Sequence, residues 1–301
     1  MKSLTRQIFI LATASVLMLF IIFNTVVNLG GFSDVLRDID WLYFILALLT
    51  MIPITILSAA RWHYVISAAG YKVSFKEILM IIVSSMSLSI IPGRLGDIAR
   101  SYPLRNKIPV SETIGTIVLE KIIDVSLLMI LSAIGLSVIG YPFYGVILLL
   151  LTIAIFPLLN LTHKIGYRLL PRNAITSKIH QAFEILQKIK SGKKMISMAV
   201  VSSLTSWVLT MVHVYWLFIS VGVKVPFDAI FAFHPLSTFA GLLPITLAGI
   251  GIRDSAMIIL FKNFASAEQS LAVGLLYGFQ TYWLLAILSM PLLYYFFRHN
   301  D

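Results

Sequence analysis

The chain alternates between long apolar runs and two short polar breaks. Apolar runs of about 17 to 25 residues have the length of a helix that crosses a membrane. Six such runs predict six full crossings, at residues 8–29, 41–60, 110–139, 144–161, 195–221 and 270–297. The first run follows Lys2 and Arg6, but it is longer than a signal-peptide core and has no small-residue cleavage site, so we expect it to be retained as the first helix.

Two further regions, residues 75–104 and 227–261, contain proline, glycine and charge where a plain span would have leucine. Such groups persist at membrane depth mainly where they are buried in protein or line a wet cavity, which makes the breaks the best pointers to a functional site. Both breaks share the pattern apolar-apolar-Pro-x-x-Leu-small half a chain length apart, a weak internal similarity. The residues that interrupt the helices are Pro92, Gly93 and Gly96 in the first break and Pro244, Gly249 and Gly251 in the second.

The positions of the basic residues predict how the chain crosses the membrane. Lys and Arg concentrate in cytoplasmic loops. Basic residues lie at both ends of the first region, so it is predicted to enter and leave by the cytoplasmic face. They are Arg61, Lys72 and Lys76 at its start and Arg100, Arg105 and Lys107 after the break. The acidic loop with Asp34, Asp38 and Asp40 is predicted outside, and the basic loop 163–194 inside.

The second region is then predicted to enter and leave from outside, with three crossings between the two. An odd number of crossings inverts the halves relative to each other, as in transporters built from two repeats. The predicted fold is an all-α polytopic integral membrane protein: six full spans plus two opposed re-entrant helical hairpins, about eight membrane segments, arranged as an inverted repeat. We expect one domain, residues 1–301, in the cell membrane with both termini cytoplasmic; a count of eight or more spans results if each hairpin arm is treated as a helix.

Composition supports this class and excludes others. Hydrophobic residues make up 59% of the chain, charged residues 12%, and the mean hydropathy is +0.94, whereas soluble domains are about 25% charged. The absence of cysteine excludes disulfides and thiolate chemistry. The net charge of +10 lies in loops and span ends, as orientation and anionic headgroups at the cytoplasmic face require, so we expect no nucleic-acid partner. Without a Walker loop or metal-ligand spacing, no cofactor or metal is expected.

Charged residues in and after the first break are the first candidates for chemistry. Arg94 or Arg100 can present a planar fork to a phosphate, and Asp97 and Arg100 can pair on one helical turn. The alternative is that the arginines anchor the hairpin to the inner interface. In the next span, Glu120 and Asp124 share a helix face and Lys121 can pair with Asp124; they either neutralise Arg94, Arg100 or Arg253, or bind a cationic headgroup or relay a proton.

The second break offers Arg253 and Asp254 as an outer counterpart of Arg94 and Asp97. Its Gly-Ile-Gly-Ile-Arg-Asp segment lacks the βαβ context and the third glycine of a nucleotide loop, so the glycines are interpreted as allowing backbone to approach backbone. His213 and His234 either relay protons or pack through hydrogen bonds. Gly274 and Gly278 form a small-xxx-small pair that favours close helix packing.

These motifs carry a family resemblance. Pro92-Gly93-Arg94-Leu95-Gly96-Asp97, then Leu119-Glu120-Lys121 with Asp124, and finally Leu243-Pro244 with Gly249 to Asp254 resemble the flippase-like transmembrane region of the lysylphosphatidylglycerol synthase family. In fused members this region moves an aminoacylated phospholipid between leaflets and a separate soluble domain attaches the lysine. Because the chain ends at Asp301 after the last span, we expect a stand-alone member without the lysyltransferase.

The resemblance implies a flippase or headgroup translocator, not an enzyme, for an anionic, aminoacylated or polyprenyl-phosphate-linked lipid. The expected partners are membrane lipids and, as one option, a separate synthase. The alternatives are an intramembrane glycosyl- or aminoacyl-lipid transferase with Glu120 or Asp124 as base, and a non-transporting assembly partner. The residues expected to bind substrate are Arg94, Asp97, Arg100, Glu120, Asp124, Arg253 and Asp254.

Overall fold

The computed structural model describes residues 2–88, 97, 99–169, 192–242, 246 and 249–299. All regular structure in these residues is helical. The helices are α1 Lys2–Thr25, α2 Leu29–Arg37, α3 Trp41–Ala68, α4 Phe75–Met86, α5 Val110–Val138, α6 Pro142–Leu169, α7 Lys193–Ser220, α8 Phe227–Leu242, α9 Ile252–Phe261, α10 Ala267–Gly278, a π-helical segment Phe279–Leu284, and α11 Leu285–His299. Several residues of the predictions lie outside the described residues. They are Pro92, Gly93, Arg94 and Gly96 of the first break, Pro244 of the second break, and most of the basic loop 163–194.

Helix boundaries follow from local capping chemistry. Asp40 and Ser74 accept hydrogen bonds from backbone N–H groups in the first turns of α3 and α4, which satisfies donors that have no partner within the helix. Ser266 and Gln269 form a reciprocal capping box at the start of α10. At the other end of α3, Gly70 has a φ of +92°, a conformation that glycine adopts without a side-chain penalty.

The predicted first span, 8–29, is helical only to Thr25, so its C-terminal bound is corrected. α1 ends at Thr25, and α2 leaves it at an angle of 102°. Asn28 causes the restart because its Oδ1 accepts hydrogen bonds from the backbone N–H groups of Gly30 and Gly31. The backbone N–H of Asn28 also donates to Glu268 of α10. The segment with Asp34, predicted as an outer loop, is therefore largely a helix tied to α10.

Three of the described helical stretches are long and apolar enough to cross a membrane: Trp41–Ala68, Lys193–Ser220 and Ala267–Leu292. The bent pair of α1 and α2 adds a fourth if it counts as one span, and Pro142–Ile155 is a shorter apolar helix. The all-helical membrane class is therefore supported. Six full spans, eight segments and an inverted repeat stay predictions.

The position of Arg61 is a second correction. The predicted span 41–60 placed this residue in a cytoplasmic loop, but α3 continues to Ala68 and carries Arg61 inside it, 6% exposed. The helix continues because apolar side chains follow the arginine: Trp62, Val65 and Ile66 are all fully buried.

The two largest apolar clusters of the described residues pack around α3, α4, α5 and α7. α3 packs along α7, and α5 packs against α6 and α8. Met211, Val214 and Phe218 of α7 belong to the larger cluster. The smaller one joins Trp62 of α3 to Ile78 of α4 and brings the residues after the first break close to α3. α8 and α9 pack against each other across the second break.

The contact between α5 and α8 depends on a glycine. A Cβ atom at Gly135 would lie 2.3 Å from the backbone N of Ala232, and Ser132, one turn earlier, donates a hydrogen bond of 2.6 Å to the carbonyl of Ala232. Small residues that let helix backbones approach are a main source of helix association in membranes.

We predict that Gly135→Ala lowers the free energy of unfolding of the purified protein by about 1 to 3 kcal/mol or more, the usual cost of overpacking. The neighbouring atom is the backbone N of Ala232, which cannot rotate away as a side chain could. The measurement is the unfolding midpoint in detergent. Gly31→Ala is the matched control: it is also helical, but its nearest neighbour is a flexible Glu268 side-chain carbon at 3.5 Å. Equal midpoints for the two variants would contradict the assigned contact.

Candidate functional site

Six ionisable side chains meet where α3, α5 and the residues after the first break come together. α3 contributes Arg61, and α5 contributes Glu120, Lys121 and Asp124. The first-break region contributes the remaining two, Asp97 and Arg100. We refer to these six residues as the α3–α5 charge network.

Glu120 is the centre of this network and is fully buried. Its Oε1 accepts from Nη2 of Arg61 at 2.5 Å and its Oε2 from Nη1 of Arg100 at 3.0 Å. Arg100 also forms an ion pair with Asp97, and Nζ of Lys121 lies 3.3 Å from Asp97 Oδ2 and 3.6 Å from Glu120 Oε1. The single carboxylate of Glu120 thus joins α3 to the segment that follows the first break.

Asp124 extends the network to α7. Its Oδ1 accepts hydrogen bonds from Nη1 of Arg61 at 2.7 Å, from Oγ of Ser203 at 2.6 Å and from Nε1 of Trp207 at 3.0 Å. One arginine and two neutral donors thus converge on a single carboxylate oxygen. Asp124 therefore fixes the relative positions of three helices.

The six described members of the network are three cations and three carboxylates. Local neutrality is what a low-dielectric environment demands, since an unpaired buried charge costs several kcal/mol. Lys121 is the member most open to solvent, with 30% of its side chain exposed, whereas Glu120 has none. Within the described part of the chain, the Nε atoms of Arg61 and Arg100 are buried without a hydrogen-bond partner. The site retains donor capacity for an anionic oxygen or water.

The structure forms some of the pairs that the sequence predicts and replaces others. The Asp97–Arg100 pair is present, and Arg100 is one of the cations at Glu120. Lys121 pairs with Asp97 and Glu120 instead of the predicted Asp124. Arg61 was missed because it adjoins the predicted end of a span and was interpreted as a loop residue. The apolar residues that continue after it were the available signal. Arg94 lies outside the described residues.

Arg253 and Asp254 form a separate buried pair at the start of α9. Nη2 of Arg253 lies 2.9 Å from Asp254 Oδ1 and donates to the carbonyl oxygen of Gly274, also at 2.9 Å. Oδ2 of Asp254 accepts from the backbone N–H of Gly251. Arg253 is therefore neutralised by its neighbour, not by Glu120 or Asp124 as one interpretation of the sequence held.

The glycines around this pair make room for it. A Cβ at Gly274 would lie 2.5 Å from Asp254 Oδ1, and one at Gly278 would lie 2.8 Å from Arg253 Nη2. Gly274 and Gly278 thus accommodate buried charge in addition to close helix packing. In the second break, Gly249 has a φ of +75°, and a Cβ atom there would lie 2.9 Å from Cα of Gly241. The backbones of these two glycines therefore approach each other closely, as predicted.

Comparison with known proteins places this arrangement in a family. The sequence matches the family described as the lysylphosphatidylglycerol synthase TM region over residues 7–289. The chain belongs to this family. The match includes both breaks and all six residues of the α3–α5 charge network.

Archaeal membrane proteins are among the relatives. The UPF0104 membrane protein MJ1595 of Methanocaldococcus jannaschii is 25% identical over 271 residues, which cover 79% of this chain and 80% of the relative. A second protein of that organism, MJ1078, is 27% identical over 222 residues, 68% of this chain and 92% of the relative. A UPF0104 membrane protein of Methanothermobacter thermautotrophicus is 23% identical over 261 residues, 78% of each chain. The names describe these relatives as membrane proteins and assign them no activity.

We predict strong energetic coupling between Arg61 and Asp124. Arg61→Gln should destabilise the protein by about 3 to 5 kcal/mol because it leaves buried carboxylate charge uncompensated. Asp124→Asn in the same chain should recover part of that loss. The measurement is a double-mutant cycle on unfolding free energy.

The exposed pair of Lys107 and Glu77, with Nζ 2.7 Å from Oε2 and side chains 54% and 26% exposed, is the matched control. Its cycle, with Lys107→Gln and Glu77→Gln, should give a coupling of about 1 kcal/mol or less. Additive effects of Arg61→Gln and Asp124→Asn would contradict a buried ion pair.

Proposed function

We propose that the protein is a membrane-embedded translocator of lipid headgroups, acting on an anionic, aminoacylated or polyprenyl-phosphate-linked lipid. The observation that carries the proposal is the α3–α5 charge network, because it ties the first break to α3 and α5 through charges that a headgroup could replace. Family membership supports a lipid-related membrane role.

The network suits an exchange of ionic partners. A phosphate oxygen entering beside Lys121 would compete with Asp97 and Glu120 for the forks of Arg100 and Arg61, whose Nε atoms are buried without a partner among the described residues. Arginine forks bind phosphate and carboxylate in the same geometry. The ammonium group of an aminoacylated lipid would in turn replace Lys121 at Asp97. The neutral network can therefore accept a headgroup while each charge keeps a counter-ion.

Such an exchange would couple binding to movement. Asp97 and Arg100 lie at the end of the first break, and their pairs with Lys121 and Glu120 hold that segment against α5. A headgroup that takes over these pairs would release the segment. Alternating access needs a differential interaction of this kind, because a ligand shifts a conformational equilibrium only by its differential affinity.

The proposed architecture places one break at each side of a shared path. The first break, with Arg94, would open to the cytoplasm and the second, with Arg253 and Asp254, to the outside, as re-entrant hairpins of an inverted repeat in the cell membrane. The packing of α8 against α9 across the second break supports a hairpin there. Both termini would lie in the cytoplasm, and anionic lipid headgroups would contact the cytoplasmic face of the protein. A separate synthase would supply the lipid if it is aminoacylated. Movement would follow the lipid gradient or ions without nucleotide hydrolysis.

An intramembrane transferase is less well supported. A general base must be free to take a proton, whereas Glu120 and Asp124 are each bound to arginine and Asp124 also accepts from Ser203 and Trp207. We therefore propose transport without chemical conversion. A non-transporting assembly partner would show neither leaflet exchange nor a new lipid.

We predict that the purified protein in liposomes accelerates the exchange of a headgroup-labelled anionic lipid between leaflets. Lys121→Gln should slow this exchange about tenfold or more, the effect of losing one charge-assisted hydrogen bond. Lys107→Gln, a surface cation in an exposed pair, is the matched control and should leave the rate unchanged. No acceleration over empty liposomes across anionic phospholipids and polyprenyl phosphates would exclude the proposal, and a new lipid product would favour the transferase.

We predict that single cysteines at positions 72 and 105 are protected from an impermeant thiol reagent in intact cells and react after permeabilisation. The chain has no cysteine of its own, so each label reports one site. Asp38→Cys, at the end of α2, is the control and should react from outside. Labelling of positions 72 and 105 in intact cells would overturn the proposed topology.

A further inference from the structure

A groove that is open to the surface lies where α7 ends and the chain turns into α8. Its volume is about 530 Å³, within the range of about 300 to 1,000 Å³ that small-molecule sites have. It is lined by Val212, Tyr215 and Trp216 of α7 and, after that helix, by Lys224 and residues 225–227. We refer to this feature as the α7–α8 groove.

The groove lies at one end of two candidate membrane spans. α7 ends at Ser220 and α3 begins at Trp41, and the backbone N–H of Asp40 donates a hydrogen bond of 2.8 Å to the carbonyl oxygen of Ser220. Each helix has 28 residues, which at 1.5 Å per residue is about 42 Å, the thickness of a bilayer with its headgroup layers. This end of the two helices is therefore expected at the level of the lipid headgroups.

Aromatic side chains mark the same level. The rings of Tyr43 and Trp216 stack with their centroids 5.5 Å apart, Tyr215 packs edge-on against Phe227 at 5.6 Å, and Trp41 is 64% exposed. Tyr and Trp are enriched where a membrane meets water, because each ring has an apolar body and a polar group. The α7–α8 groove is thus built from side chains that are typical of this boundary.

The face of α7 that lines the groove continues along the helix as an exposed apolar surface. Val212, Val208, Leu204 and Val201 follow one another at intervals of three or four residues, which places them on one face of the helix. Val201 is 61% exposed and Leu204 is 38% exposed. Exposed apolar surface of this extent marks a contact with a partner or with lipid. An acyl chain that starts in the groove can extend along this face.

Lys224 supplies the charge of the groove. It is the charged residue among the described lining residues, its side chain is exposed, and no described carboxylate forms an ion pair with it. A lysine ammonium binds phosphate through a full charge and three N–H donors, while its stem lies along apolar surface. Asp228, in the first turn of α8, does not line the groove, and its Oδ1 accepts from the backbone N–H of Ala229 at 2.8 Å.

We propose that the α7–α8 groove binds one membrane phospholipid, with its phosphate at Lys224 and an acyl chain against Val212 and Trp216. The apolar lining favours a lipid over a soluble phosphate compound, which would cover none of this apolar surface. The site shares no residue with the α3–α5 charge network. It does not rest on the proposed function, because a bound lipid need not move between leaflets.

Native mass spectrometry of the purified protein in detergent tests the phosphate contact. The two probes have the same chains: dioleoylphosphatidylglycerol, and dioleoylglycerol, which has no phosphate. For the unmodified protein we expect the phospholipid to bind about fivefold more tightly, the effect of one basic residue beside a headgroup. Lys224→Gln should remove this preference by weakening the binding of the phospholipid alone.

Lys262→Gln is the matched control for the charge. Lys262 is an exposed lysine directly after α9. It lies at the same end of the molecule, because Gln269 of the following helix donates to the carbonyl oxygen of Val221, but it does not line the groove. Lys262→Gln should keep the preference for the phospholipid. Equal losses in the two variants, or an undiminished preference in Lys224→Gln, would overturn the proposal.

A second pair of variants locates the acyl chain. Val212→Trp fills the groove and should abolish the tight binding of one molecule of either probe. Val201→Trp, on the same face of α7 but outside the groove, should leave the binding of both probes unchanged. Normal binding by a folded Val212→Trp protein would overturn the proposal.

The same spectra show whether a second copy of the chain occupies the groove. A dimer that Val212→Trp dissociates would assign the groove to an interface between copies and overturn the lipid site. If Val212→Trp does not fold, the comparison of the two lysine variants decides alone, because both of these side chains are exposed.

Discussion

Charge in a low-dielectric interior must be neutralised locally. The pairing of Arg61 with Glu120 meets this requirement between α3 and α5. Either charge alone would be expensive to bury. Together they allow α3 and α5 to pack at the depth where Glu120 is fully enclosed. The remaining members arrange themselves around this pair: Arg100 takes the second oxygen of Glu120, and Asp124 takes the second nitrogen of Arg61.

The α3–α5 charge network also contacts residues of other helices. Asp124 holds α7 through Ser203 and Trp207, and Arg100 lies 5.6 Å above the ring of Trp62, which anchors the apolar cluster beneath α4. The pairs of Arg61 with Glu120 and Asp124, and of Arg100 with Glu120, join different elements. In the proposed translocator, a headgroup charge would take one partner of such a pair and release the element that it holds.

The second break solves the same physical problem differently. Arg253 and Asp254 are adjacent in sequence, and Gly274 and Gly278 provide the space for them. The pair holds α9 against α10 but exchanges no charge with α5. The two breaks are alike in sequence but differ in chemistry.

The sequence predicted the membrane class well because composition and run length report burial in lipid directly. It also predicted the Asp97–Arg100 pair, and one of its two interpretations made Glu120 a counter-ion of Arg100. It failed for Arg61, because hydropathy cannot distinguish an arginine at the end of a span from one paired inside it. It failed for α2, in part because the hydrogen bond from the backbone of Asn28 to Glu268 joins residues far apart in the chain. The roles of Gly274 and Gly278 likewise depend on side chains from another helix.

The ionisation state of the buried carboxylates tests the central claim most directly. Isotope-edited infrared spectroscopy of the protein in lipid distinguishes a carboxylate from a protonated acid, and Glu120→Gln and Asp124→Asn assign the bands. Balanced pairing predicts that both groups are ionised at neutral pH and that Arg61→Gln converts one of them to the neutral acid. A protonated Glu120 or Asp124 in the unmodified protein would contradict the network.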